Sequence, residues 1–272
     1  MNDLPTDGPA DARFLELRPG VYVMRAPSFA ADPEIGRILR RTLNVCALVD
    51  GPGVTLVDAG LPGVLPTLAA CLEGIGLGLT AVRRVIVTHS HVDHVGGLPE
   101  IVAATGAEVW AHRADAGIID GTVAPPDTSA LTASLRGRLD VLLADLAPAK
   151  RELVLRMAGS VYPTEHVPVD LRLEGGEELA VLGGCRLLHT PGHTPGHLAL
   201  FLPALGLLVA GDLLTFEAGH ILPSSDLLAV DSVALHESVL AVAALPVEAF
   251  IGYHGGWVLH GAGALLRGAG GA

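Results

Sequence analysis

Aromatic residues are scarce in this chain of 272 residues, at 4% for Phe, Trp and Tyr together. A core made without them must be packed from Leu, Val, Ile and Ala, and half the residues are hydrophobic, which is ample for one. Basic residues are also few: 17 Lys and Arg stand against 29 Asp and Glu, a formal net charge of −12. Nucleic-acid affinity rests largely on clustered Lys and Arg, so the expected partner is a small-molecule substrate and not a nucleic acid. The three cysteines, Cys46, Cys71 and Cys185, are far apart and form no Cys-x-x-Cys pair. They imply no disulfide framework, which fits a reducing compartment. Cys46 and Cys185 lie in apolar runs and read as small buried hydrophobes. The first eight residues have neither a basic start nor an apolar core, so no signal peptide is expected. The longest apolar run, 198–210, is broken by Pro203 and Gly206; no membrane span is expected. These absences predict a soluble, cytoplasmic protein.

What is present is a succession of short β-like runs punctuated by Gly and Pro. Residues 1–12 read as a loose tail. Val21 to Met24, Val45 to Val49 and Val54 to Val57 read as strands, the last two joined as a hairpin through Pro52. Leu65, Leu68, Leu72 and Ile75 recur at spacings of three and four, predicting an amphipathic helix beside Pro66. Val85 to Val87 is then a buried strand. Leu98 to Ala104 reads as helix and Glu108 to Ala111 as strand. From about 113 to 161 the pattern becomes helical, with Leu131, Leu135, Leu139, Leu142 and Leu146 in register. This insertion is either a packing element or a lid and substrate wall. Strands return at 169–173, 178–181, 186–189, 199–202 and 207–210. Residues 213–231 read as a loop, 232–244 as helix and 249–252 as a last strand, before a Gly/Ala-rich tail. The order suggests two similar halves within one domain spanning 1–272.

The chemistry lies in His89-Ser90-His91-Val92-Asp93-His94, four ligand-type side chains within six residues, directly after the Val85-to-Val87 strand and Thr88. Imidazole with carboxylate suits borderline divalent metals: zinc first, with iron or manganese as the other candidates. Three further residues follow β runs and sit beside glycine, which lets the backbone turn sharply: His193, Asp212 and His254. Seven candidates are too many for one tetrahedral ion and suit two.

With these residues in hand, the chain resembles the metallo-β-lactamase-fold hydrolase superfamily over most of its length. The resemblance is carried, in the family's order, by Val57-Asp58-Ala59-Gly60, by Thr88 to Gly97, by the Pro-Gly-His193 turn, by Gly211-Asp212 and by His254. It implies an α/β (α+β) fold, a four-layer αββα sandwich with the helical insertion at about 113–161, and metals at one edge between the sheets. It implies that His89, His91 and His193 hold one metal, that Asp93, His94 and His254 hold the other, and that Asp212 bridges them. Asp58 would orient a ligand histidine without binding metal; its other reading is a strand-end turn former. Two such ions lower the pKa of a bridging water, so the expected activity is attack by hydroxide on a small ester, lactone or thioester. Asp93 would also relay the proton to the leaving group.

The signatures look most like glyoxalase II and the lactonases. Against glutathione conjugates, only 18 residues follow His254 and Arg267 is the sole Lys or Arg among them. Against the signal lactones, Asp212 is followed by Leu213-Leu214-Thr215-Phe216, where a tyrosine is usual. Two other readings share the scaffold. A persulfide dioxygenase would hold one iron through two histidines and one aspartate, leaving His94 and His254 unused. A phosphodiesterase or nuclease is disfavoured by the acidic balance. His112, His189 and His197 border strands near the site and are candidates for supporting it, with ordinary packing as the alternative. His220 and Tyr253 are candidates to face substrate; His166, His236 and His260 carry no argument. The apolar excess is compatible with a homodimer.

Overall fold

The computed structural model describes residues 12–32, 37–127, 161–224 and 229–270. Among them, one sheet takes its strands in sequence order: β1 (Phe14–Arg18), β2 (Val21–Asp32), β3 (Arg37–Asp50), β4 (Gly53–Val57), β5 (Val82–Val87), β6 (Glu108–His112) and β7 (Leu171–Leu173). Pairing is antiparallel from β1 to β4 and parallel from β4 to β7. A second sheet is built from β8 (Glu178–Leu179), β9 (Cys185–His189), β10 (Leu198–Leu202), β11 (Leu207–Val209), β14 (Ala249–Ile251) and β15 (Trp257–Val258). Its order is β15-β14-β11-β10-β9-β8, and a hairpin of β12 (Leu214–Glu217) and β13 (His220–Pro223) stands apart from both sheets.

The alternation of a strand's side chains decides the layers. On β3, Cys46 and Leu48 enter the core between the sheets, while Val45 and Ala47 enter the core on the outer face. On β5, Ile86 points between the sheets and Val85 and Val87 outward. On β10, Leu198, Leu200 and Leu202 face the other sheet, while Ala199 and Phe201 face outward. Strands buried on both faces read as continuous apolar runs, and every residue of β10 is buried.

Helices cover the outer faces. On the first sheet, α1 (Leu65–Gly74) contributes Leu68, Cys71 and Leu72, and α3 (Leu98–Thr105) contributes Leu98 and Ile101. The single turn α2 (Val92–Val95) lies between them, and α4 (Arg113–Ile119) follows β6. On the second sheet, α5 (Ser232–Ala243) packs Leu235, Val239 and Val242, beside α6 (Ala262–Gly270) with Leu266 and Ala269. The layering is αββα, as the resemblance implied.

Two sequence expectations need correction. The Gly/Ala-rich tail is helical as α6, because Gly263 lets the helix close onto the chain: a Cβ there would lie 2.6 Å from the carbonyl oxygen of Val247. The 213–231 loop contains the β12–β13 hairpin, whose Leu214 and Ile221 are buried. The hairpin at Pro52 and helix α1 stand where expected. The leucine stripe from Leu131 to Leu146 falls outside the described residues.

Leu200, with no exposure, sits in the core between the sheets. Leu200→Ala should lower the unfolding free energy by about 2–5 kcal/mol, measured by chemical denaturation. A change close to zero would contradict this packing.

Candidate metal centre

Every expected ligand, and the supporting Asp58, follows the C-terminal end of a strand. Asp58 follows β4, the His89-to-His94 run follows β5, His193 follows β9, Asp212 follows β11 and His254 follows β14. β4 and β5 are parallel, as are β11 and β14, while β9 and β11 both run antiparallel to β10. Each sheet therefore delivers its loops at a single edge.

Three imidazole nitrogens converge first. His89 Nε2 lies 3.0 Å from His91 Nδ1, and His193 Nε2 lies 3.1 Å from the same atom. Zn–N bonds of about 2.0–2.1 Å in a tetrahedron separate their nitrogens by about 3.3 Å, so the three are spaced as ligands of one ion. Burial pushes the His89 and His193 pKa values down, and lowers His91 to about 3 with help from His193. All three are neutral, with lone pairs available.

The second group is charged. Asp93 Oδ2 lies 3.2 Å from His254 Nε2 and 3.8 Å from His94 Nε2. Asp212 stands between the groups: its Oδ1 is 3.3 Å from His94 Nε2, and its Oδ2 is 3.2 Å from His254 Nε2 and 3.6 Å from His193 Nε2. Burial alone would lower the pKa of His254, but Asp212 and Asp93 outweigh it and lift it to about 10. His94 is raised too, against its burial, by Asp212, Asp58 and Asp93. Burial would raise Asp93; His94 and His254 instead bring it down to about 2. Without a metal, protons on the two histidines thus supply the positive charge that the carboxylates require.

The donor set fits divalent cations. Among the described residues, three overlapping groups could hold a metal: His89, His91 and His193; His89, His94 and Asp212; and Asp93, His94 and His254, with ligand atoms in each group within 4.8 Å of one another. His94 Nε2 and Asp212 Oδ1 are buried and make no hydrogen bond. Buried polar atoms are normally paired, and a shared cation would satisfy both.

Neighbouring groups orient these donors. Asp58 adopts φ +65°, a conformation Asp tolerates. Its carboxylate accepts from the Thr88 N–H at 2.7 Å and meets His94 Nδ1 at 2.9 Å, which turns Nε2 of that ring toward the donors. Asp58 thus stands at a strand end and against the His94 ring. Thr88 Oγ1 meets His89 Nδ1 at 3.1 Å, and Ser224 Oγ meets His193 Nδ1 at 3.1 Å. His197 Nε2 accepts the Asp212 N–H at 3.0 Å, and its Nδ1 meets Thr190 Oγ1 at 2.8 Å. Gly211, at φ +54°, makes that approach fit: a Cβ there would lie 2.7 Å from His197 Nε2.

The remaining candidates divide. His112 and His189 stack on each other, with ring centroids 4.0 Å apart, and bond the carbonyls of Glu174 and Pro195, away from the donor groups. Tyr253 is buried: its ring lies 3.8 Å from that of His94 and its hydroxyl donates to the Asp93 carbonyl at 2.5 Å. That hydroxyl is engaged by the protein, not turned to a substrate. His220, His236 and His260 are exposed, and His166 meets the Ile119 carbonyl. Sequence reasoning missed Asp115, which is buried and bonded to both ligand loops, and Tyr162, whose ring lies 5.3 Å from that of His91. The only signal for Asp115 is an acidic residue in the first turn after a strand end. Tyr162 has none, because it returns from a remote segment.

A family model described as the metallo-beta-lactamase superfamily matches residues 40–254. The chain is 30% identical over 217 residues to the probable metallo-hydrolase YflN of Bacillus subtilis (strain 168), covering 74% of each. It is 31% identical over 166 residues to a hydroxyacylglutathione hydrolase of Pseudomonas aeruginosa (strain LESB58), spanning 60% of this chain but only 43% of that one. Among solved structures, a metallo-beta-lactamase family protein of Thermus thermophilus superposes with a TM-score of 0.63 at 27% identity, covering 94% of this chain and 78% of that one.

Metal loading should release protons. With a folded pKa of about 10, His254 is protonated at pH 8 and must lose its proton to ligate. Adding zinc to metal-free protein at pH 8 in weak buffer should acidify the solution, and zinc affinity should rise with pH toward 10. The measurements are indicator absorbance and chelator competition; an affinity independent of pH would contradict the charge arrangement.

Proposed function

The chain belongs to the metallo-beta-lactamase superfamily, and on that premise we propose that it is a dinuclear metal-dependent hydrolase of a small ester, lactone or thioester. The position of Asp212 carries the reading: its two carboxylate oxygens lie near His193 of one donor group and near His94 and His254 of the other. His89, His91 and His193 would hold one ion, Asp93, His94 and His254 the second, with Asp212 shared. Zinc is the ion proposed, and iron or manganese suits the same donors. Two such cations, when bound, lower the pKa of a water between them and supply a nucleophile near neutral pH.

The chain's own residues account for the rest. His89, His94 and His193 are buried, whereas His91 is half-buried and the side chains of Asp93 and His254 keep 26% and 23% exposure. Substrate therefore approaches on the side where His91, Asp93 and His254 are open. Asp93, held there by the Tyr253 hydroxyl on its carbonyl, is the group placed to pass a proton to the leaving group. No thiolate of the three cysteines competes as nucleophile, since burial lifts Cys71 to about 11, Cys185 to about 12 and Cys46 higher still. The partner proposed is a small molecule, and the protein's acidic balance supports that choice over nucleic acid.

The likeness to hydroxyacylglutathione hydrolases keeps thioesters among the substrates, although this chain spans less than half of the Pseudomonas aeruginosa protein. The mononuclear dioxygenase alternative leaves His94 and His254 without a task, yet both turn Nε2 toward Asp212.

Elemental analysis should find two zinc or similar ions per chain; one iron, with oxygen consumed on a persulfide, would overturn the proposal. A panel of lactones, thioesters and phosphodiesters should show turnover of the acyl substrates. Changes in groups that merely support ligands cost about 10–100-fold, so Asp212→Ala should lower kcat/KM by more than about 100-fold. Wild-type turnover with both ions still bound would reject the dinuclear role of Asp212.

A further inference from the structure

The ligands of the first group come from two loops on different sheets. His89 and His91 follow β5 of the first sheet, and His193 follows β9 of the second. Their nitrogens must be held to within about 0.2 Å of ligand distances for an ion to be gripped, so the separation of these loops has to be set by something. We propose that Asp115 is the positioning residue that sets it, by cross-linking the two loops through one carboxylate; the inference rests on the metal-binding reading above.

Asp115 lies on α4 and is 1% exposed. Its Oδ2 accepts from the Ser90 N–H at 2.9 Å and from the Thr194 hydroxyl at 2.8 Å, and its Oδ1 accepts from the Gly196 N–H at 2.7 Å. Ser90 stands between His89 and His91, and Thr194 is next to His193. A single oxygen, Oδ2, therefore ties the first loop to the second. The residue types agree with this task. All three partners are donors, and a carboxylate offers acceptors only. Gly196 admits the contact, because a Cβ there would lie 2.6 Å from Oδ1. The N-terminus of α4 is capped by His112, whose Nδ1 accepts the Ala114 N–H, so the Asp115 carboxylate is released from capping its own helix.

Asp115 is itself in none of the metal-capable groups among the described residues. Its bond to the His89-to-His94 run falls at Ser90, between two donors of the first group, and its other two bonds reach the His193 loop; Asp93 and His94, later in that run, have holds of their own, Tyr253 on the Asp93 carbonyl and Asp58 on the His94 ring. Loss of Asp115 should consequently affect one ion and spare the other, whereas a carboxylate that only braced the fold would affect both.

Asp115→Asn preserves shape but turns an amide NH2 against at least one donor. The test is zinc uptake by metal-free protein, followed by competition with a chromophoric chelator, together with thermal unfolding of the metal-free forms. Wild type should show two binding steps. Asp115→Asn should weaken one by about 10–100-fold and leave the other unchanged. His254→Ala, which removes a donor of the second group, identifies the steps: the step it spares should be the one that Asp115→Asn weakens. Thr194→Val deletes one of the three donors and should weaken that same step by a smaller factor. If Asp115→Asn does not fold, Thr194→Val decides in its place. Both steps unchanged, or both weakened equally with a lower unfolding temperature, would overturn the inference. Uptake of a single ion by wild type would overturn the dinuclear reading instead, and the positioning role then holds only if Asp115→Asn still weakens that ion.

Discussion

Face-to-face contact between the two sheets determines where every candidate donor stands. Cys46, Val57 and Ile86 from one side meet Leu187, Leu198, Leu200, Val209 and Ile251 from the other in a shared apolar core. Val57, Val209 and Ile251 end strands immediately before or close to Asp58, Asp212 and His254, and Ile86 stands three residues before His89. Because apolar packing is dense and resists shifts, it sets the ligand loops of one sheet against those of the other. The centre is the polar boundary of an apolar contact.

That boundary holds polar groups that burial disfavours. His89, His94 and His193 are buried with Asp58, Asp115, Thr88, Thr190 and His197. Nearly all of them are paired in a graded order: the ligand nitrogens face inward, and the opposite ring atoms meet Thr88, Asp58 or Ser224. Among the buried atoms without a hydrogen bond, His94 Nε2 and Asp212 Oδ1 stand 3.3 Å apart, where one cation would satisfy both; Ser90 Oγ and His254 Nδ1 are also unpaired. Charge is divided as well. The first group is neutral imidazole and the second gathers the carboxylates; solvent reaches both, through His91 in the first and through Asp93 and His254 in the second.

Much of this is legible in the sequence. The apolar runs of β4, β5, β10 and β11 announce buried strands, and the spacing of Leu65, Leu68 and Leu72 announces α1. The candidate donors could be read because they cluster beside glycines shortly after strands, and the fold brings them together in groups that could hold a metal. Elements whose stability comes from contact were misread: α6 looks like a tail because Gly and Ala carry little periodic signal, and the β12–β13 hairpin hides in what reads as a loop. Asp115, Ser224 and Tyr162 went unnoticed for a related reason. Each is an ordinary residue type whose importance comes from distant partners, and a side chain bonded to residues 25 and 81 positions away leaves no local pattern.

The sequence by itself determined the chemistry. Residue type and spacing decide which side chains can bind a divalent metal, and the run from His89 to His94 needs no fold to declare that. It also settled the alternation that sorts side chains between layers, because a strand's period of two is local. The tertiary structure decided the grouping. It placed His193 on His91, turned Asp212 toward both donor groups and set Asp58, His197 and Asp115 behind them. Those relations join strands of separate sheets, and they come from sheet packing and hydrogen bonds over long chain separations, which local sequence does not encode.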